Sequence, residues 1–187
     1  MKRISRLFVV ALTLLASLCI TTAYADGLEP SAMTIYRIEN VSNGRYLSNG
    51  DNMNNDARII FAADNASSFG QEWALYPTEV DGVIILVNPT SGKALDMAPG
   101  VGYPVQWNYE PANPNQQFLL IEVEPDIYKL ANAANPYQYL GASGSYPTMS
   151  YNLSGNAILF RFHDTGKRQA LPPTSGKTFV ISNVANK

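Results

Sequence analysis

The sequence predicts an all-β domain built from three diverged copies of one unit about 45 residues long. A strand-like segment closing on Asn recurs as Tyr36-Arg37-Ile38-Glu39-Asn40, Ile84-Ile85-Leu86-Val87-Asn88 and Tyr128-Lys129-Leu130-Ala131-Asn132. Apolar residues two apart are the period of a strand with one buried face. A leucine follows each segment, at 47, 95 and 140, spaced 48 and 45 residues. An aromatic recurs at 73, 118 and 160, spaced 45 and 42. Two independent anchors with nearly the same period define a repeat.

The copies run over 33–79, 80–126 and 127–165. A turn follows the first strand of each: Ser42-Asn43-Gly44, Thr90-Ser91-Gly92 and Ala134-Asn135-Pro136. Four short strands are expected per copy, in the first at roughly 34–40, 45–48, 57–62 and 72–76, giving about twelve in all. No segment carries a sustained 3.6-residue apolar period with caps, so long helices are not expected. Four strands per copy also suit propeller blades, but three blades fall short of the usual four to eight. A closed barrel capped by three hairpins leaves fewer exposed edges. The predicted architecture is therefore a β-trefoil. Trp73, Phe118 and Phe160, with Leu75, Leu120 and Phe162 two residues on, and the three leucines are its expected core.

The ends of the chain read differently. Lys2, Arg3 and Arg6 precede an apolar run over 7–20, and Ala23-Tyr24-Ala25 supplies small residues at a cleavage site. This is the pattern of a secretory signal peptide over 1–25, with an apolar run shorter than the roughly 20 residues of a membrane span. A secreted, periplasmic or extracellular protein is expected. Leu18 stands where lipid attachment at Cys19, the single cysteine, wants a small residue, so a lipoprotein is not expected. Loss of 1–25 takes the formal charge from −2 to −5 by removing three basic residues. A mildly acidic chain with scattered Lys and Arg is no candidate for nucleic acid or an anionic membrane. The trefoil is placed at 26–165. Residues 166–187 read as a linker followed by Thr178-Phe179-Val180-Ile181-Ser182-Asn183-Val184, which matches Ile35-Tyr36-Arg37-Ile38-Glu39-Asn40-Val41 in its aromatic, Ile, Asn and Val positions. That match suggests the opening strand of a truncated second module, or alternatively a strand docked on the trefoil.

The middle copy carries Gly92-Lys93-Ala94-Leu95-Asp96, then Pro104-Val105-Gln106-Trp107, then Asn115-Gln116-Gln117-Phe118. With Gln71-Glu72-Trp73 in the first copy, these motifs resemble the ricin B-type β-trefoil lectins, in their cysteine-free bacterial form, over about residues 33–165. The resemblance implies a carbohydrate-binding protein with its pocket formed by Asp96, Gln106, an aromatic near 107–109, Asn115 and Gln116. The family's aromatic lies two residues after the Gln, where this chain has Asn108. Trp107 and Tyr109 flank it, and a one-residue shift on a strand reverses the face. One of the two is expected to reach a ligand, Trp107 in preference. Sugar recognition needs an aromatic face for the C–H side of the ring and fixed polar groups for the hydroxyls. Asp96 follows core Leu95 and so projects outward, and Asn113 adds an amide. The Gln residues 71 and 116 are expected to bond buried backbone groups.

The other copies look degenerate. Ser48 and Gly141 follow the core leucines where the middle copy has Asp96, although Phe61 and Asn65 leave a weak site conceivable in the first copy. The ligand is a glycan or polysaccharide; the alternative is a trefoil scaffold or inhibitor for a protein partner, with a vestigial sugar site. No enzyme is expected. His163 is the single histidine, and the chain after residue 25 has no cysteine, so neither a nucleophile–base pair nor a metal or cofactor site can be assembled from the usual residues.

Overall fold

The computed structural model describes residues 28, 34–97 and 102–169. Each copy contributes four strands. The first has β1 (Thr34–Asn40), β2 (Arg45–Ser48), β3 (Ile60–Ala62) and β4 (Trp73–Pro77). The second has β5 (Val83–Asn88), β6 (Lys93–Asp96), β7 (Val105–Asn108) and β8 (Phe118–Glu124). The third has β9 (Ile127–Asn132), β10 (Asn135–Ser143), β11 (Tyr146–Ser150) and β12 (Phe160–Arg168). Among the described residues helical structure is confined to three short 3-10 turns, Phe69–Gln71, Pro114–Gln116 and Gly155–Ile158, one before the last strand of each copy.

Strand pairing closes a barrel. β1 pairs with β4, β4 with β5, β5 with β8, β8 with β9, β9 with β12 and β12 again with β1, all antiparallel. The remaining strands form one hairpin per copy, β2–β3, β6–β7 and β10–β11, each joined to the first strand of its own copy. Six barrel strands with three hairpins make a β-trefoil. The signal-peptide region and the tail over 170–187 lie outside the described residues.

The recurring apolar anchors meet inside. Ile38, Leu86 and Leu130, Leu47, Leu95 and Leu140, and Trp73, Phe118 and Phe160 are all fully buried in one cluster. Trp73 also donates Nε1–H to Leu47 O at 2.9 Å, satisfying its one polar atom. β5 departs from simple alternation, being buried at all six positions. Ile84 and Leu86 face the barrel core, while Ile85 and Val87 join Ala94 and Tyr76 in a second apolar cluster on the outside. That outer cover explains the uninterrupted run Ile84-Ile85-Leu86-Val87.

The Asn closing the first strand binds neighbouring copies together in the first and second copies. Asn88 donates Nδ2–H to Phe69 O and Glu72 O (2.7 and 2.8 Å) in the preceding 3-10 turn. Its Oδ1 accepts from Thr90 N and Ser91 N in the following turn. Asn40 does the same toward Ala157 O and Leu159 O, closing the cycle between third and first copies. An asparagine amide serves both functions because it offers donors and an acceptor on one short arm.

One strand is shorter than the sequence suggests. β3 starts at Ile60, because Arg58 bridges to Val105 of β7 and Ile59 donates its N–H to Pro104 O at 2.9 Å. Residues 57–59 are extended, but they pair with the middle copy instead of their own.

Candidate functional site

The β6–β7 hairpin presents its chemistry on one face. Asp96 pairs with Val105, Leu95 with Gln106 and Ala94 with Trp107. Side chains opposite one another share a face, and neighbours along a strand alternate. Asp96, Val105 and Trp107 therefore point to one side, and Leu95 and Gln106 to the other. Across from them, Asn113 caps the 3-10 turn Pro114–Gln116, its Oδ1 accepting from Asn115 N at 3.0 Å. Met97 N donates to Asn115 O at 3.0 Å, fastening this turn to the end of β6.

These elements enclose a cavity of about 270 Å3 lined by Asp56, Asp96, Val105, Trp107, Asn113 and Asn115. Asp96 Oδ2 accepts from Gln116 Nε2 at 2.9 Å and Asn113 Nδ2 at 3.3 Å. Among the described residues its other oxygen has no hydrogen-bond partner. Burial raises the Asp96 pKa, the Gln116 hydrogen bond partly offsets this, and the charge of Glu110 raises it further. Gln116 is wholly buried and gives Nε2–H also to Asn108 O at 2.8 Å, while its Oε1 accepts from Glu110 N at 2.9 Å. Gln71 makes the corresponding bonds in the first copy, to Ala63 O and from Asn65 N.

Of the six residues expected at a sugar pocket, Asp96, Trp107 and Asn115 line this cavity, and Gln116 lies behind it holding Asp96. Two do not line it. Gln106 is fully buried on the opposite face of β7, where it joins loops of two copies: Nε2 donates to Asn52 O and Asn54 O, and Oε1 accepts from Asn49 Nδ2 and Ser91 Oγ. Tyr109 lies beyond the end of β7 with its ring 5.3 Å from that of Tyr76, over the outer apolar cluster. Asp56, which sequence reasoning missed, enters from the preceding copy. Its N–H donates to Gln106 O at 3.0 Å and its φ is 62°, a combination that carries it over β7. Nothing in a repeat alignment signals a residue contributed across the boundary between copies.

A family model described as the ricin-type β-trefoil lectin domain-like family matches residues 28–101 and 70–150. The chain belongs to that family. No curated protein matches it. Among solved structures it is similar to the designed three-fold symmetric protein ThreeFoil, with TM-score 0.61 and 22% identity, covering 68% of this chain and 96% of that one. SeviL bound to asialo-GM1 saccharide gives TM-score 0.57 and 15% identity over 72% and 99%. A GlcNAcα1-4Gal-releasing endo-β-galactosidase from Clostridium perfringens gives TM-score 0.61 and 16% identity, covering 70% of this chain but 32% of the enzyme. At these identities the likeness is one of fold.

Within this ricin-type trefoil the three copies are unequal. Counting from the core leucine and its hairpin register, Asp96 and Trp107 correspond to Ser48 and Ala62 in the first copy and to Gly141 and Ser150 in the third. Counting from the core aromatic, Asn113 and Asn115 correspond to Ser68 and Gly70, and to Gly155 and Ala157. The equivalent spaces are also filled. A Cβ on Gly141 would meet Ala157 O at 2.6 Å and Leu153 Cδ1 at 2.9 Å, while Gly70 packs directly on Asn49 and Asp51. Asp51 Oδ1 accepts there from Ser68 Oγ and Gly70 N. Phe61, an expected contributor to a first-copy site, is instead a core residue 6.4 Å from Phe160.

A roomier groove of about 600 Å3 runs past Pro77, Val80, Ile85 and Pro111. It has few converging polar groups, and the Nε2 of its Gln117 is spent on Pro111 O at 2.8 Å. Among the described residues no group of three or more His, Cys, Asp or Glu is placed to hold a metal, and no helix is long and apolar enough to cross a membrane.

Proposed function

We propose that the protein is a secreted, non-catalytic carbohydrate-binding module with one sugar site, the β6–β7 cleft of the middle copy. The observation that carries this reading is the convergence of a buried carboxylate, a half-buried indole and two amides on one cavity, at positions that the other copies fill with Ser, Ala or Gly. The arrangement suits a pyranose. Trp107 offers a face for ring C–H groups, and Asp96, Asn113 and Asn115 offer acceptors and donors for hydroxyls. Family membership supports the same ligand class, as does the saccharide in the similar SeviL structure. Export rests on residues 1–25, and the N-terminus of the exported protein is expected at Asp26; retention of residues 1–25 in the mature protein contradicts export by cleavage.

The test is a glycan array followed by titration of the best ligand. The wild type is expected to bind at least one glycan, and Trp107→Ala to weaken it about 10-fold or more, the worth of one aromatic platform, with an unchanged melting temperature. Absence of binding across the array, or full affinity in Trp107→Ala, contradicts the assignment. A single weak site also implies that tight attachment to a surface needs several copies or modules acting together.

A further inference from the structure

The middle-copy cavity is unbalanced in charge. Two of its lining side chains, Asp56 and Asp96, are acids, and none is basic. Asp96 is only 4% exposed, has its Oδ2 committed to Gln116 and Asn113, and turns an oxygen without a protein partner among the described residues toward the cavity. A carboxylate buried that deeply wants a donor for its remaining lone pairs. Glu110 stands behind as a third acid, 3.5 Å from the same Asn113 Nδ2 that reaches Asp96.

The nearby basic side chains are occupied elsewhere. The Arg58 guanidinium lies between the rings of Tyr103 and Tyr146, 4.4 and 4.8 Å from their centroids. Lys93 Nζ donates to Asn108 Oδ1 at 2.9 Å on the face of the hairpin opposite the cavity. The remaining large wall, the Trp107 indole, carries a negative π face that attracts cations. The two acids and the indole face therefore favour positive charge or a hydrogen-bond donor, while the two amides and Val105 carry no charge.

Resting on the carbohydrate reading above, we propose that this cavity sorts sugars by charge, preferring amino sugars to neutral ones and rejecting those that carry a carboxylate. The ammonium of an amino sugar fits among Asp56, Asp96 and the Trp107 face, where it gains charge-assisted hydrogen bonds. An acidic sugar meets two like charges with no cation to compensate, which is rejection by repulsion. Asp56 is the specificity-determining residue. Asp96 is held within the copy by Gln116, whereas Asp56 is brought in by the neighbouring copy and adds charge to the cleft.

The experiment titrates the full-length mature protein near neutral pH with six sugars: glucose, glucosamine and glucuronic acid, and the corresponding galactose series. Trp107 fluorescence is the readout, since Trp73 is fully buried. Using both stereochemical series separates charge from hydroxyl geometry. In whichever series binds, the amine is expected about 3-fold or more tighter than the neutral sugar, and the acid about 10-fold or more weaker. Asp56→Asn, which keeps a residue that tolerates positive φ, is expected to shrink both ratios by about 3-fold. Equal affinity for neutral and acidic sugars, or ratios unmoved in Asp56→Asn, overturns charge sorting while leaving the carbohydrate site standing. Failure of all six sugars to bind overturns charge sorting, and with absence of binding across the glycan array it overturns the carbohydrate reading of the cavity as well.

Discussion

Asp96→Asn is expected to weaken sugar binding about 100-fold, near 2.7 kcal/mol, in a protein that remains at least as stable as the wild type. The substitution keeps shape and leaves one oxygen to accept from Gln116 and Asn113, so the cleft is preserved. What disappears is the buried charged acceptor. Truncating or neutralising a buried, hydrogen-bonded charge in a binding site commonly has effects of this size. Stability should move the other way. Burial lifts the Asp96 carboxyl above its ordinary value of 3.8, so the folded protein holds this proton more tightly than the unfolded chain. Well below the ordinary value the group is protonated in both states and nothing is lost. As pH rises from there through the raised folded value, the unfolded chain releases the proton first and stability falls. At neutral pH the wild type carries that full cost and the Asn variant does not, a gain of about 1 kcal/mol or less. Sugar affinity has the opposite pH dependence, since protonation removes the acceptor. Wild-type binding should decline on acidification, with a midpoint above the ordinary value for an aspartate. Thermal melts and titrations over a pH series measure both. A variant that binds normally, or that loses binding only because it unfolds, contradicts this role for Asp96.

Gln106→Ala should instead lose stability, about 3 kcal/mol, lowering the melting temperature by on the order of 10 °C for a domain of this size. The amide makes four hydrogen bonds inside the protein and is fully buried. Removing it takes one partner each from Asn52 O, Asn54 O, the Asn49 amide and Ser91 Oγ at the join between copies. The same bonds hold the loop that carries Asp56, so any change in sugar affinity should follow from disorder of that loop. The family pattern implies a ligand contact for this residue. A Gln106→Ala protein that melts normally but fails to bind sugar would return Gln106 to the site.

These two residues show what was legible in the sequence. The barrel was readable because Leu47, Leu95 and Leu140 and the aromatics Trp73, Phe118 and Phe160 recur at one period and are buried for the same reason. Of their expected companions, Leu75 and Phe162 are buried and Leu120 only partly so. That Asp96 and Trp107 share one face of the hairpin was readable because a strand alternates about a known core leucine. By the same rule Gln106, which neighbours Trp107 on β7, faces the other way, into the join between copies. Tyr109 shares parity with Trp107, but β7 ends at Asn108 and the ring falls onto Tyr76. Asp56 was invisible because the segment around it leaves its own copy to pair with β7. Contacts within a copy follow from pattern; contacts between copies depend on how the strands close.

The same distinction governs the first and third copies. Ser48 and Gly141 already signal the loss of the acid, yet a sequence cannot show that the vacated space is filled. Leu153 and Ile158 do this in the third copy, and Asn49 with Asp51 in the first.

The central claim is that three copies build the fold and one binds. Amide and indole chemical-shift mapping during titration with the bound sugar tests it most directly. The expected result is one saturating set of shifts at the Trp107 indole and the backbone amides of Asp96, Asn113 and Asn115. Comparable shifts around Ser48 and Gly70, or around Gly141 and Ala157, would contradict it.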